Sequence, residues 1–385
     1  MKQKIILFLM FSLLPGSVLA ELQPRINLSM QSTDNLLNAR SQERQTSSLI
    51  VNPGLSYEFG TPRLKFLIDL DLEAGRYNNS SADNYEDATI LGSVAYQPTS
   101  RLRFDAKVSQ HWGHDARGTG RTEVATGNLG RTPDRYTQKN FDGSLTYGIA
   151  GAKGQLILSA AYLDREYTNN RSATRSLDHD ETGVGATFKW RVAPKTSLLL
   201  EARYRDFDYD TTPVGFATLD SDEQRYFIGA EWEATYKTTG SIRIGRYRKN
   251  FDSVVRNDIS GGAWEVAVDW KPRSYSTVNL STGRTTGEST GIGDVQVTDY
   301  YRAAWTHGWL DRLSTTLSYD NRDVEYEGDT GRREDEIDSY RATVNYKMRR
   351  WLDLDAGLEH INNDSSTRAF SYDRNTVFLN ARIRF

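Results

Sequence analysis

The closing stretch, Arg374-Asn-Thr-Val-Phe-Leu-Asn-Ala-Arg-Ile-Arg-Phe385, restricts the fold more than any other feature of the chain. Val377, Leu379, Ala381, Ile383 and Phe385 share one parity, while Phe378, Asn380, Arg382 and Arg384 share the other. Successive side chains of an extended backbone point to opposite faces. A period of two with one apolar and one charged face therefore describes a strand that separates a greasy environment from a wet one.

The same pattern recurs along the chain. Leu64, Phe66, Ile68, Leu70 and Leu72 oppose Lys65, Asp69, Asp71 and Glu73. Val184, Ala186, Phe188 and Trp190 oppose Lys189 and Arg191, and Leu198, Leu200, Ala202 and Tyr204 oppose Glu201, Arg203 and Arg205. Tyr226, Ile228, Ala230 and Trp232 oppose Arg225 and Glu231; Trp264, Val266, Val268 and Trp270 oppose Glu265 and Asp269. Tyr340, Ala342, Val344 and Tyr346 oppose Arg341 and Lys347. So many ionised groups in a dry core would cost several kcal/mol each, so the polar face must meet water. The apolar face must meet another sheet or lipid.

The connections choose lipid. Short turns at Gly60–Arg63, Gln97–Ser100, Ala193–Thr196, Tyr236–Gly240, Pro272–Tyr275, Leu310–Arg312 and Arg349–Arg350 alternate with longer polar segments. The longer ones centre on 78–83, 115–134, 169–178, 211–221, 257–261, 287–294, 327–334 and 364–371. Pro62, Pro98, Pro194 and Pro272 fall in the short turns, where a missing N–H costs no ladder bond. Regular alternation of short and long connections is the pattern of transmembrane β-barrels, with short turns in the periplasm and long loops outside. The chain is expected to be all-β, a single antiparallel up-and-down barrel of about 18 strands over residues 21–385, both ends periplasmic. The first strand, around Arg25–Met30, and the pair flanking 115–134 give the faintest patterns.

The N-terminus fits that destination. Lys2 and Lys4 precede the apolar run Ile5–Phe11, and Val18-Leu-Ala20 forms a small-x-small cleavage pattern, so residues 1–20 are expected to be a cleaved secretory signal with Glu21 the first mature residue. No cysteine is present, so neither a lipid-modified cysteine nor a disulfide framework is available. The net charge of −3 excludes a global basic field for nucleic acid.

One strand resists. Ile242 and Ile244 set an outward register, yet Arg246 shares their parity; either the strand has left the membrane there or a bulge shifts it. A faint repeat, Tyr162–Tyr167, Arg203–Tyr209, Arg246–Phe251 and Tyr319–Tyr326, falls where ascending strands enter outer loops. It reads as a braced aromatic rim, or as a ring of Arg and aromatic groups contacting a passing sugar or anion. Trp190, Trp232, Trp270, Trp309 and Trp351 sit beside short turns, where an interfacial girdle belongs.

No catalytic set or metal site is found. The spacing of His111 and His114 puts them on opposite faces of a strand, and no nucleophile elbow, zinc spacing or phosphate loop occurs. What remains is lumen chemistry. Arg203, Arg205, Arg225, Arg243, Arg302, Arg322, Arg341, Arg382 and Arg384 are expected to point inward beside Glu201, Glu231, Glu265 and Asp269. They form either a stiffening cross-lumen network or an electropositive path, since charge rings set selectivity in pores.

The last strand, with its terminal aromatic, resembles the terminal strand of bacterial outer-membrane barrels. That resemblance implies that Val377, Leu379, Ala381, Ile383 and Phe385 form the signal read by the barrel-assembly machinery. The mature chain as a whole resembles the outer-membrane β-barrel porins encoded with exopolysaccharide clusters, and more distantly the alginate-export barrel. Its length, strand number, Arg/Asp/Tyr-rich strand ends such as Arg203–Tyr209, and the terminal Arg382-Ile-Arg-Phe385 carry the likeness. The resemblance implies export of a polysaccharide, expected to be acidic, across the outer membrane, supplied by an inner-membrane synthase and periplasmic partners. It implies no catalytic residue and no cofactor. The alternative is a diffusion porin for small anions or oligosaccharides.

Overall fold

The computed structural model describes residues 19–149, 151–235 and 237–385; residues 1–18 of the expected signal segment lie outside them. The strands are β1 (Leu19–Thr33), β2 (Thr46–Thr61), β3 (Leu64–Tyr77), β4 (Tyr85–Thr99), β5 (Leu102–Asp115) and β6 (Asp134–Tyr147). There follow β7 (Gly154–Tyr167), β8 (His179–Ala193), β9 (Thr196–Tyr209), β10 (Ser221–Thr235), β11 (Thr238–Phe251) and β12 (Ile259–Arg273). The last are β13 (Ser276–Glu288), β14 (Val295–Leu310), β15 (Leu313–Glu327), β16 (Glu334–Arg349), β17 (Leu352–Ser365) and β18 (Tyr372–Arg384). Each pairs antiparallel with its chain neighbours, and β1 pairs with β18 from Arg25↔Arg384 to Thr33↔Thr376. The 18-stranded sheet is thus closed, with no free edge, as a membrane requires of strands.

The parity read from the sequence is the parity of the wall. Leu200 is 58% exposed, Ile228 65% and Leu358 57%, whereas Leu199 between its outward neighbours is 2% exposed. Register irregularities cluster beside short turns, as between Trp232 and Thr235, Trp270 and Arg273, and Lys347 and Arg349. Bulges there end the ladder without disturbing the spanning part.

The strands run longer than the sequence suggested. β1 begins at Leu19 instead of near Arg25, and the connections at 62–63, 100–101, 274–275 and 350–351 are two-residue turns. The first outer loop, 34–45, and the turn between β6 and β7 are absent from the connections read in the sequence, although Gly148 and Gly151 mark the second. Strands of 13 to 16 residues, at ~3.3 Å per residue and ~40° tilt, stand about 33–40 Å tall against an apolar band of about 25 Å. They therefore project beyond the bilayer. At Arg246 the bulge is excluded: β10 and β11 pair without a shift from Ser221↔Phe251 to Trp232↔Gly240. Arg246 therefore stays on the outward face, opposite exposed Tyr226 and on the mouth side of Ile244.

The outer loops are L1 (34–45), L2 (78–84), L3 (116–133), L4 (168–178), L5 (210–220), L6 (252–258), L7 (289–294), L8 (328–333) and L9 (366–371). L3 and L7 fold over the lumen and shape the site described next.

Candidate permeation path

Inward positions on β8–β12 carry alternating charges, and the register brings them into contact. Glu201 on β9 accepts from Arg203 on its own strand and, at 3.0 Å, from Arg243 on β11. Arg203 reaches across to Glu265 on β12 at 2.6 Å, and Arg243 also meets Glu231 at 3.2 Å. Lys189 on β8 closes the lower end on Glu231 at 2.7 Å. Nearer the mouth, buried Glu223 accepts from Arg205 at 2.6 Å and Arg225 at 2.8 Å. Arg205 lies 3.7 Å from Glu181, and Lys249 meets Glu288 at 2.6 Å. Six cations (Lys189, Arg203, Arg205, Arg225, Arg243, Lys249) thus face six carboxylates (Glu181, Glu201, Glu223, Glu231, Glu265, Glu288). This network is neutral.

Three cavities lie along the same wall. The lowest, about 430 Å³, is lined by Arg191, Ser197, Glu231, Glu233, Ser241 and Asp269. The middle one, about 350 Å³, exists because Ser159, Ala161, Gly183 and Gly185 leave β7 and β8 shallow opposite Arg203 and Arg205. The upper one, about 370 Å³, is bounded by Arg165, Tyr167, His179 and Glu181 on the wall, by Thr119–Arg121 of L3, and by Glu288–Thr290. From the short-turn end to the mouth, they lie in succession along one side of the barrel.

L3 crosses the mouth. At its base Arg117 donates to Asp83 of L2 at 2.6 and 2.7 Å, both side chains buried. That hydrogen bond, opposed by burial, raises the Arg117 pKa above its ordinary value, so the guanidinium stays charged. Gly118 has φ +82, and a Cβ there would lie 2.2 Å from the Leu37 carbonyl of L1, so only glycine permits the two backbones to touch. At the tip Glu123 receives Arg333 of L8 at 2.5 and 3.1 Å. L8 lies nearly opposite L3 around the ring, so the loop spans the opening.

L7 closes the mouth differently. Pairing of β12 with β13 stops at Glu265↔Gly283, although β13 and β14 stay paired out to Glu288↔Val295. Beyond Gly283 the hairpin leaves the wall and turns inward. Its Thr286 accepts from Arg225 at 2.8 Å and donates to Glu223, and Arg225 donates to the Arg284 carbonyl at 3.0 Å. Val295 and Val297, on the parity that is outward lower on β14, are fully buried.

Every arginine read from the sequence as luminal has a carboxylate partner. Arg203, Arg205, Arg225 and Arg243 join the network with Glu201, Glu231 and Glu265. Arg302 and Arg322 share Asp320, Arg341 pairs with Glu359, Arg382 with Asp355 and Arg384 with Asp353, all on the other side of the ring. Asp269 accepts from Asn279 at 2.5 Å, below the network. Trp190, Trp270, Trp309 and Trp351 are exposed at the short-turn end, and Trp232 lies over Gly240. Val377, Leu379 and Phe385 are exposed beside the closing seam, with Ala381 and Ile383 half-buried. His111 and His114 do not converge: one meets Thr89 at 2.8 Å, the other Asp87 at 2.9 Å. The sequence reading passed over Lys249, Glu223, Glu288 and Arg333; their runs of mixed charge beside aromatics were a signal, but their pairing crosses strands and loops.

A closed barrel with an apolar belt and a charged, hydrated interior defines an integral outer-membrane β-barrel channel. The family model described as "Putative beta-barrel porin 2" matches residues 21–385, and the chain belongs to that family, one of porins and not of enzymes. No curated protein matches. Among solved structures, OpdK from Pseudomonas aeruginosa, crystallised with vanillate, is 11% identical, with a TM-score of 0.54 over 95% of this chain and 99% of that one. OpdL from the same organism gives 11% and 0.50 over 95% and 99%. The FrpB iron transporter from Neisseria meningitidis (F5-1 variant) gives 13% and 0.50 over 90% of this chain; the match spans 64% of that protein, less than two thirds of its length. These likenesses concern the fold.

Proposed function

We propose that the chain conducts a polysaccharide outward across the outer membrane, passively, along the charged wall of β8–β12. The observation that carries the reading is the wall itself. Guanidinium donors and carboxylate acceptors alternate beside three cavities, which suits the dense hydroxyls of a sugar chain. The likeness of the sequence to barrels encoded with exopolysaccharide clusters supplies the direction and the expectation of a periplasmic partner. The neutrality of the network means that charge guidance comes from individual sites and not from a net positive wall. The diagnostic experiment removes the gene and quantifies surface polysaccharide; unchanged release rejects export.

A second reading has its own support. With L3 and L7 across the mouth, the cavities are sized for one or two sugar units and not for a strand in transit. That favours a diffusion porin for small anions or oligosaccharides. Planar-bilayer conductance, blocked by long and short oligosaccharides in turn, separates the two. Block by long chains from the periplasmic side supports export, and block by short ones alone supports diffusion.

A further inference from the structure

We infer that Glu288 occupies a carboxylate-binding site on the inner wall, and that the ligand it stands in for is the carboxylate of a sugar acid in the adjoining cavity. The site is built from two strands. Lys249 of β11, with no solvent exposure, donates to one oxygen of Glu288 at 2.6 Å, and the Tyr209 hydroxyl of β9 donates to the other at 2.8 Å. The Lys249 ammonium also lies 3.5 Å from the Phe207 ring centre, a cation–π contact that helps to fix its position. Both carboxylate oxygens are thus recognised, by separate donors.

The carboxylate that fills the site comes from the inturned hairpin and not from the wall. Glu288 ends β13 five residues beyond the last step of the β12 ladder at Glu265↔Gly283. It also lines the 370 Å³ upper cavity, which Lys249 and Tyr209 do not, so a ligand there meets Glu288 before either donor. Rotation of Glu288 exchanges one carboxylate for another without moving the strands. Lys249 cannot remain buried and unpaired at low cost, so the exchange is favoured only for an anion.

The rest of the cavity suits a sugar ring. Arg165, stacked on Tyr136 at 3.8 Å, keeps an Nε–H without a hydrogen-bond partner, and Gln138, Thr290 and Asp115 add neutral and acidic groups. The cavity volume falls within the range of small-molecule sites. This inference rests on the saccharide reading of the channel and supplies its preference for acidic sugars.

The test is calorimetric titration of the folded, detergent-solubilised barrel with glucuronate, glucose and acetate. Replacing the built-in competitor by Glu288→Gln should tighten glucuronate at least tenfold, by ~1.4 kcal/mol. Glucose should be unaffected and acetate should gain less than glucuronate. Adding Lys249→Met should abolish the gain. Glu288→Asp, which keeps the charge but shortens the reach to both donors, provides a milder variant if the amide impairs folding and should give a smaller gain. No gain for glucuronate in either variant, or an equal gain for glucose, overturns the site; an acetate gain equal to that of glucuronate overturns the sugar assignment. Because binding and not conduction is read, the result is independent of whether polysaccharide release depends on the chain.

Discussion

Glu123→Ala tests whether L3 is a tethered cover over the mouth. The loop is fixed at its base by Arg117–Asp83 and at its tip by the two bonds from Arg333 to Glu123 at 2.5 and 3.1 Å. Arg333 would not be stranded by the change. It keeps Asp335 at 2.9 Å and lies 3.7 and 4.4 Å from the Phe370 and Tyr326 ring centres. The loss is therefore that of the tether alone, about 2 kcal/mol, within the range for hydrogen bonds to charged groups. At ~1.4 kcal/mol per tenfold, the covered-to-open ratio of L3 should fall about 30-fold. Single-channel recording at fixed voltage reads that ratio from the dwell times. Thermal unfolding should be almost unchanged, because the strand ladder does not involve Glu123. A dwell-time ratio within twofold of the wild type would show that the tip contact does not hold the loop.

Glu201→Gln removes one carboxylate shared by Arg203 and Arg243, and should shift the reversal potential in a potassium chloride gradient toward chloride; no shift would mean that ions do not pass this wall. Ile228→Arg places a charge on the lipid-facing side of β10 and should cost about 2–4 kcal/mol in equilibrium folding into vesicles, the value for a midplane position; a cost near zero would place that face outside the hydrocarbon. Deleting Phe385, the exposed terminal aromatic beside the β1–β18 seam, should lower the amount of heat-modifiable folded barrel in outer membranes several-fold while leaving refolding in detergent intact. Equal yields in membranes would remove the assembly role from that residue.

The wall was legible because its physics is local. Parity in β9 or β18 depends only on the backbone alternating, and lipid outside with water inside turns that into a readable period of two. The partners of each charge were not legible. Glu201 meets Arg243 and Arg203 meets Glu265 two or three strands away, at heights set by the stagger of the whole barrel. L7 defeated the reading for a related reason. Thr286 and Val297 share parity with Thr282 and Tyr301, which point outward, yet they face the interior because the hairpin leaves the wall at Gly283. Nothing in a two-residue period announces where a strand pair parts from its neighbour. L3 shows the same limit, since its path depends on Glu123 finding Arg333 across the mouth.

The division of labour in this barrel explains why a charged wall is tolerable. Backbone ladders around a closed sheet and apolar contact with lipid hold the strands, so side chains of the lumen are not needed to define the fold. In a dry core, breaking the Arg203–Glu265 contact would strand two ions at a cost of several kcal/mol. Where the lumen is hydrated, water replaces the lost partner and the pair can open to a passing hydroxyl at a small fraction of that cost. Under L7 this relief is absent, since Glu223 and Lys249 are buried and water does not reach them. Contacts that yield therefore lie along the middle of the wall, and contacts that demand a charged replacement lie at the mouth. On the proposed reading, a sugar chain would meet its sharpest selection at Glu288, where the inferred site asks a carboxylate to take the place of a carboxylate.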